Sequence, residues 1–183
     1  METTIKRSTK RLLLVATTVN HLQTELSSVK QLGALLDCAI PQGWPPGEYD
    51  EPAQRFLYNC LLEGGIAAVG WYGWYAITNQ DMGKIRTLIA AGGFLGPPND
   101  DGTVEVGYSV VPAWQGQGYA KEMMADLIRF AFEDARVERI IANTTKENIA
   151  SYKVLEKLGF TQSNNQSEPP QIQYELLRVR GHT

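Results

Sequence analysis

The residues from Val110 to Ala120 read Val-Val-Pro-Ala-Trp-Gln-Gly-Gln-Gly-Tyr-Ala, a strand that breaks at proline and passes through two glycines into a helix. The chemistry this order offers is anion binding. Glycines let backbone amides converge on an anion without side-chain obstruction, and a helix start adds unsatisfied amides carrying about half a unit of positive charge. A pyrophosphate fits such a loop. No Lys-Ser or Lys-Thr follows, as a Walker loop would require, and the spacing is not GxGxxG. A tight strand-to-helix turn explains the glycine pair equally well. Two further polar residues occupy telling positions. Alternation along Thr103 to Val111 puts Thr103, Glu105, Gly107, Ser109 and Val111 on one face and Val104, Val106, Tyr108 and Val110 on the other, so Glu105 stands on the face with the smaller residues. An isolated strand glutamate is most simply a solvated or paired surface group. Ser151 shares an apolar helix face with Val154, Leu155 and Leu158, and a hydroxyl there needs a partner, for which a backbone carbonyl is the plain candidate. Asn148 is placed to cap that helix through the amide of Ser151 or Ala150.

The elements that must position these residues follow from periodicity. A strand is expected over Arg11 to Ala16, then one amphipathic helix carrying Leu22, Leu26, Val29, Leu32 and Leu36, with Thr18 or Asn20 at its start. The proline-rich PQGWPPG segment ends it. A second helix capped by Asp50 presents Phe56, Leu57, Cys60 and Leu61 and stops at Gly64 and Gly65. Trp71 to Ile77, Arg86 to Leu95 and Thr103 to Val111 are rich in aromatic and β-branched residues and are separated by NQDMG and GPPNDDG turns, the pattern of an antiparallel meander. A helix over Gln117 to Arg136, a strand over Arg139 to Asn143 and a helix over Ile149 to Leu158 come next. A strand near Phe160 and a last one through Ile172, Tyr174 and Leu176 complete the order. The Trp71 to Tyr75 aromatic run reads as core or as an acceptor wall, and Trp44 as core or as a cover over a cleft. Met123 and Met124 read as helix packing.

Composition narrows the field. The 183 residues are 43% hydrophobic and 20% charged, enough for one domain over residues 1–183, with residues 1–10 expected as a flexible tail. Seventeen Lys and Arg against 20 Asp and Glu leave a formal charge of −3, which argues against a nucleic-acid partner. Cys38 and Cys60 are far apart without a CxxC pair, so a reducing cytoplasm is expected and no zinc site or disulfide framework is supported. Neither His21 nor His182 is given a catalytic role, and no metal site is read. No apolar run approaches the ~18 residues of a membrane span. The basic start followed by Leu12 to Val15 decays into Thr17, Thr18 and Asn20, and reads as a short strand rather than a signal peptide.

Gln115 to Ala120 resembles the Gln/Arg-x-x-Gly-x-Gly/Ala motif of the GCN5-related N-acetyltransferase (GNAT) superfamily. Glu138-Arg139-Ile140-Ile141-Ala142, the Asn148-Ile149-Ala150-Ser151 helix start and the closing Leu158-Gly159-Phe160 resemble the family's downstream half in the same order. The Asn-x-x-Ser variant is most similar to the branch related to ribosomal-protein N-terminal acetyltransferases. The resemblance is strong from Thr103 to Phe160. It implies an α/β acyl-CoA N-acyltransferase fold, a central mixed, mostly antiparallel sheet flanked by helices, with a V-shaped cleft between the Thr103 and Arg139 strands. It implies acetyl-CoA as acyl donor, and an acceptor that is a small-molecule amine or a peptide amino terminus. Amides of Val110 and Val111 would meet pantetheine or the thioester carbonyl, and amides from Gln115, Gly116, Gln117, Gly118, Tyr119 and Ala120 would cradle pyrophosphate. Asn148 becomes either cap or coenzyme contact. Ser151 becomes the hydrogen-bond or proton donor to the coenzyme sulfur, because Leu155 stands where many members carry a tyrosine; Tyr152 ranks second. Glu105 matches acidic positions that act as base directly or through water, since a protonated amine has no lone pair for attack. Two rivals stay open: a non-catalytic acyl-CoA-binding regulatory module, and a structural partner protein whose aromatic strands form the interface. A homodimer is also left open.

Overall fold

The Val-, Ile- and aromatic-rich segments form the middle of one eight-stranded sheet. The computed structural model describes residues 4–79, 85–163 and 171–179. Its strands are β1 (Lys6–Ser8), β2 (Leu12–Ala16), β3 (Tyr72–Thr78), β4 (Leu88–Leu95), β5 (Thr103–Val110), β6 (Arg139–Thr145), β7 (Thr161–Gln162) and β8 (Gln171–Leu177). The helices are α1 (Val19–Ser27), α2 (Val29–Leu36), α3 (Glu51–Gly64), α4 (Tyr119–Glu133) and α5 (Ile149–Lys157). The strand order is β1-β2-β3-β4-β5-β6-β8-β7. Every neighbouring pair is antiparallel except β5 and β6. This is the mixed, mostly antiparallel α/β sheet expected.

Side-chain alternation buries both faces of the sheet. Leu12, Leu14, Trp74, Val104 and Val106 pack toward Met123, Met124 and Leu127 of α4 and Leu155 of α5. Val15, Tyr75, Ile77 and Leu88 pack the other way, toward Leu22, Leu32, Leu57 and Leu61 of α1, α2 and α3. The aromatic run is therefore mostly core: Trp71 is 8% exposed, Trp74 and Tyr75 are fully buried, and Tyr72 is half-buried. That burial removes the rival in which these strands form a protein interface.

Two expectations are corrected here. The single helix expected over Leu22 to Leu36 is two, because Ser28 turns extended and accepts from the Gln31 amide, which starts α2 afresh. The stretch expected as a tail is, over Lys6–Ser8, a strand hairpinned onto β2. It is fastened to α4: Arg7 pairs with the buried Asp126 (2.6 Å) and with Glu133 (2.8 Å), while Thr9 and Arg11 both donate to Glu122. The NQDMG turn lies largely outside the described residues, as does His182. His21 belongs to a capping box: the Thr18 side chain accepts from the His21 amide, and His21 Nδ1 accepts from the Thr18 amide (3.2 Å).

Candidate functional site

β5 and β6 pair over three positions only, Thr103 with Arg139, Val104 with Ile140 and Glu105 with Ile141. Beyond Glu105, β5 keeps its ladder to β4 as far as Val110, and β6 keeps its ladder to β8 as far as Thr145. Each strand follows its own half of the sheet, and a V opens between them.

Glu105 lies at the base of that V, on the face toward α3. Asn143 Nδ2 donates to its Oε1 (2.8 Å), and Gln173 Nε2 donates to Asn143 Oδ1 (3.3 Å). The half-buried carboxylate lines a cavity of about 270 Å³ together with Glu48, Tyr49, Phe56 and Leu57. Gly73, Gly92, Gly93 and Gly107, from three adjacent strands, also line it, so much of the sheet surface there carries no side chains. No Lys, Arg or His is among the lining residues. Glu105 is thus held and aimed into a cavity rather than solvated on an open face. Asn143, which holds it, was not singled out from the sequence, because its role depends on the β5–β6 register.

The glycine loop stands at the open end of β5. A short turn over Pro112–Trp114 ends β5, and Gln115 secures it by donating from its amide to Pro112 O (3.2 Å) and from Nε2 to Val110 O (2.9 Å). Two expected donors are therefore corrected: the Gln115 amide is used within the turn, and the Val111 amide donates to Ile89 O (2.9 Å). The next residue back along an antiparallel ladder points its polar groups the other way, so the Val110 amide faces the V. Among the described residues, the amides of Gly116, Gln117, Gly118, Tyr119 and Ala120 have no protein acceptor. Gly116 (φ 72°) and Gly118 (φ 81°) adopt the left-handed backbone that glycine favours. A Cβ at Gly116 would meet nothing within 4 Å, and one at Gly118 only Arg11 Nη2 at 3.5 Å, so the loop is open to an approaching anion.

Arg11 supplies a cation at this loop. Its Nη1 donates to Gln117 O (3.0 Å), its guanidinium lies 4.1 Å from the Tyr119 ring centroid, and its Nε pairs with Glu122 (2.6 Å). Burial works against ionisation of Glu122, but hydrogen bonds from Thr9 and Arg11 prevail and hold its carboxyl below the usual value. Sequence spacing gave no signal for Arg11, which lies 106 residues from Gln117. Free amides, two open glycines and a fixed guanidinium fit a diphosphate ester.

On α5, Asn148 Oδ1 accepts from the Ser151 amide (3.1 Å), so Asn148 is the cap. Leu155 is 1% exposed and packs in the core. Among the described residues no backbone carbonyl takes the Ser151 hydroxyl, and Ser151 instead acts on the Tyr108 phenol. Burial pushes that phenol's pKa up, and Ser151 eases it back.

Behind the cavity wall, Glu25 of α1 is 3% exposed and gathers four donors. Its Oε1 accepts from Trp44 Nε1 (2.8 Å) and Gln54 Nε2 (3.4 Å), and its Oε2 from the hydroxyls of Tyr49 (2.8 Å) and Tyr75. Burial raises the Glu25 carboxyl above its ordinary value despite these donors. Trp44 packs on Tyr49 and Tyr75, while the same loop contributes Glu48 and Tyr49 to the cavity.

Among the described residues, no three His, Cys, Asp or Glu side chains are grouped to hold a metal ion, and no helix is long and apolar enough to cross a membrane. An acetyltransferase (GNAT) domain model matches residues 11–161. The chain is 28% identical over 125 residues to the uncharacterized N-acetyltransferase YjdG of Bacillus subtilis (strain 168), covering 68% of this chain and 71% of that one. It is 33% identical over 84 residues to the FsC-acetyl coenzyme A-N(2)-transacetylase of Aspergillus fumigatus, covering 40% and 36%. RimL, the ribosomal L7/L12 alpha-N-protein acetyltransferase in complex with coenzyme A, shares the fold with a TM-score of 0.63 at 17% identity over 96% and 98% of the two chains. The ribosomal-protein-S5-alanine acetyltransferase of Vibrio fischeri does so with a TM-score of 0.65 at 16% identity over 94% and 96%. A match running from the start of β2 into β7, across a sheet that opens at its one parallel pair, makes this chain a member of the GNAT family of acetyltransferases.

Proposed function

We propose that the chain transfers the acetyl group of acetyl-CoA directly to a primary amine, either a small molecule or a peptide amino terminus, in the reducing cytoplasm that its two free cysteines favour. The observation that carries this reading is the V between β5 and β6, which has free backbone donors at one end and a held carboxylate at the other. Amides from Gly116 to Ala120 and the Arg11 guanidinium hold the pyrophosphate. The Val110 amide faces the thioester carbonyl, where a fixed donor stabilises negative charge as it develops. Glu105, aimed by Asn143, takes a proton from the incoming ammonium directly or through water. The amine nitrogen bonds to the carbonyl carbon and releases its second proton to solvent, the carbon–sulfur bond breaks with its electron pair on sulfur, and Ser151 donates a hydrogen bond to that sulfur. The cavity's two carboxylates and apolar Phe56, Leu57 and Phe94 favour an acceptor with a cationic amine on a small apolar body.

The test is thermal unfolding of the wild type and Gly118→Trp with acetyl-CoA, CoA and ATP, followed by an amine and peptide screen for thiol release. A ligand at 100 times its dissociation constant adds about 2.7 kcal/mol. For a chain of this size that is a rise of about 5 to 10 °C. Stabilisation by both CoA species, lost in a folded Gly118→Trp, with thiol released only when an amine is present, is the expected result. Binding without thiol release across the panel would return the chain to a non-catalytic acyl-CoA module, and no shift with either CoA species would overturn the reading.

A further inference from the structure

Two buried side-chain polar atoms lack a hydrogen-bond partner among the described residues: the hydroxyls of Tyr108 and Thr144. They belong to the two strands that separate. The last β5–β6 pair is Glu105 with Ile141, and three residues further along each strand bring Tyr108 and Thr144 to matching positions on the two arms of the V. Both lie on the face opposite Glu105 and Asn143, toward α5, since Tyr108 alternates with Val104 and Val106 and Thr144 with Ile140 and Ala142. Ser151, in the first turn of α5, is close enough to the Tyr108 hydroxyl to favour its ionised form, although the pair falls short of ordinary hydrogen-bond geometry. Ser151 thus neighbours the Tyr108 hydroxyl on one arm, Thr144 stands level with Tyr108 on the other, and the hydroxyls of both strand residues are buried.

A buried hydroxyl without a partner is costly, and native folds keep few of them. Phenylalanine at 108 and valine at 144 would fill nearly the same volumes without that cost. We propose that the Tyr108 and Thr144 hydroxyls are the donors that receive the sulfur end of the thioester, Tyr108 holding the departing thiolate together with Ser151. This rests on the acetyl-CoA reading above. The amine attacks from the Glu105 face, and the electron pair of the breaking carbon–sulfur bond ends on sulfur. The charge is held there by hydrogen bonds from Tyr108 and Ser151 until solvent supplies the proton that gives CoA thiol. The amine's own proton leaves on the opposite face through Glu105. Burial keeps the Tyr108 phenol protonated at neutral pH, so it acts as a donor rather than as an acid that must be recharged. It takes the place that Leu155, buried in the core, leaves empty of chemistry.

The test uses Tyr108→Phe and Thr144→Val beside the wild type, with CoA itself as the probe. Thermal unfolding comes first: removing a hydroxyl that has no protein partner should leave the melting temperature unchanged or raise it. The thiol of enzyme-bound CoA is then titrated by its thiolate absorbance. In the wild type it should ionise about one pH unit below free CoA, a roughly tenfold preference for the thiolate, and Tyr108→Phe should return it most of the way. Glu105 across the sheet and Tyr152 on α5 are the same in both proteins, so the difference belongs to the phenol. With an amine acceptor, Tyr108→Phe should lower kcat by about 10- to 100-fold while acetyl-CoA affinity holds, the range of a hydrogen bond to a charged atom. Thr144→Val should raise the Kd for acetyl-CoA more than it lowers kcat. A bound thiol that titrates identically in wild type and Tyr108→Phe would overturn the proposal while leaving the transferase reading intact. Failure of CoA to stabilise even the wild type would remove both.

Discussion

Glu25 offers the sharpest test of how the cavity wall is built. Replacing it with alanine leaves four donors, from Trp44, Gln54, Tyr49 and Tyr75, aimed at empty space. The two tyrosine hydroxyls stand 3.4 Å apart and can satisfy one another in part, but Trp44 Nε1 cannot turn away and Gln54 is buried. Two or three orphaned donors at about 1–3 kcal/mol each, less what relaxation recovers, give a loss of about 3–5 kcal/mol, the usual range for breaking a buried charged network. Glu25→Gln keeps the shape and one acceptor oxygen, and its amino group can donate to the tyrosine oxygens. It also removes a charge that burial already penalises, so it should stay within about 1 kcal/mol of the wild type. Urea unfolding followed by tryptophan fluorescence reads both variants from their midpoints at constant slope. Because Tyr49 belongs to both the network and the cavity, Glu25→Ala should raise the KM for the acceptor while acetyl-CoA affinity holds. If Glu25→Ala and Glu25→Gln unfold within 1 kcal/mol of one another, the network is not what fixes this wall.

The same carboxyl gives a pH dependence of defined sign. Its folded value lies above the unfolded value near 4.5, so its contribution to stability is complete below that pH and declines as pH rises through the raised folded value. Wild-type stability should therefore fall relative to Glu25→Gln on going upward from pH 4.5, as read from urea midpoints, whereas the lowered carboxyl of Glu122 acts in the acid range beneath. Burial pushes the Cys38 thiol up to about 11, with Arg86 opposing, so its alkylation at pH 8 should run at least about 100-fold slower than that of a free thiol and rise about tenfold per pH unit. Mass spectrometry of the modified peptide checks this, and rapid labelling at pH 8 would contradict it.

The parts of the site that lie within one element were legible in the sequence. The strand break at Pro112, the glycine pair and the Asn148 cap each depend on neighbours a few residues away, where propensity and spacing act directly. The meander was legible because β3, β4 and β5 alternate against short turns. What depends on register between distant strands was not. Asn143 holds Glu105, and Thr144 stands level with Tyr108, only because β6 enters the sheet parallel to β5 with Ile141 beside Glu105. Arg11 reaches the glycine loop only because Glu122 of α4 pulls the first hairpin against that helix. The Val111 amide is used by β4, a consequence of a ladder one residue longer than the V requires. The break at Ser28 left no trace in the periodicity, since Val29, Leu32 and Leu36 continue the same apolar stripe.

The separation of β5 from β6 also gives this sheet an edge in its middle. The Tyr108 backbone groups and the Val110 amide face a margin without a strand partner, of the kind that normally lies at the rim, where it invites another chain to add as a strand. Here the margin is flanked by β6 on one side, and the sheet face beside it packs against α4 and α5, so it lies inside the fold rather than at its rim. The opening between β5 and β6 is thus too confined to template aggregation. A bound ligand would also bridge two half-sheets that otherwise meet over three residue pairs, so occupancy is coupled to the cohesion of the fold as well as to chemistry.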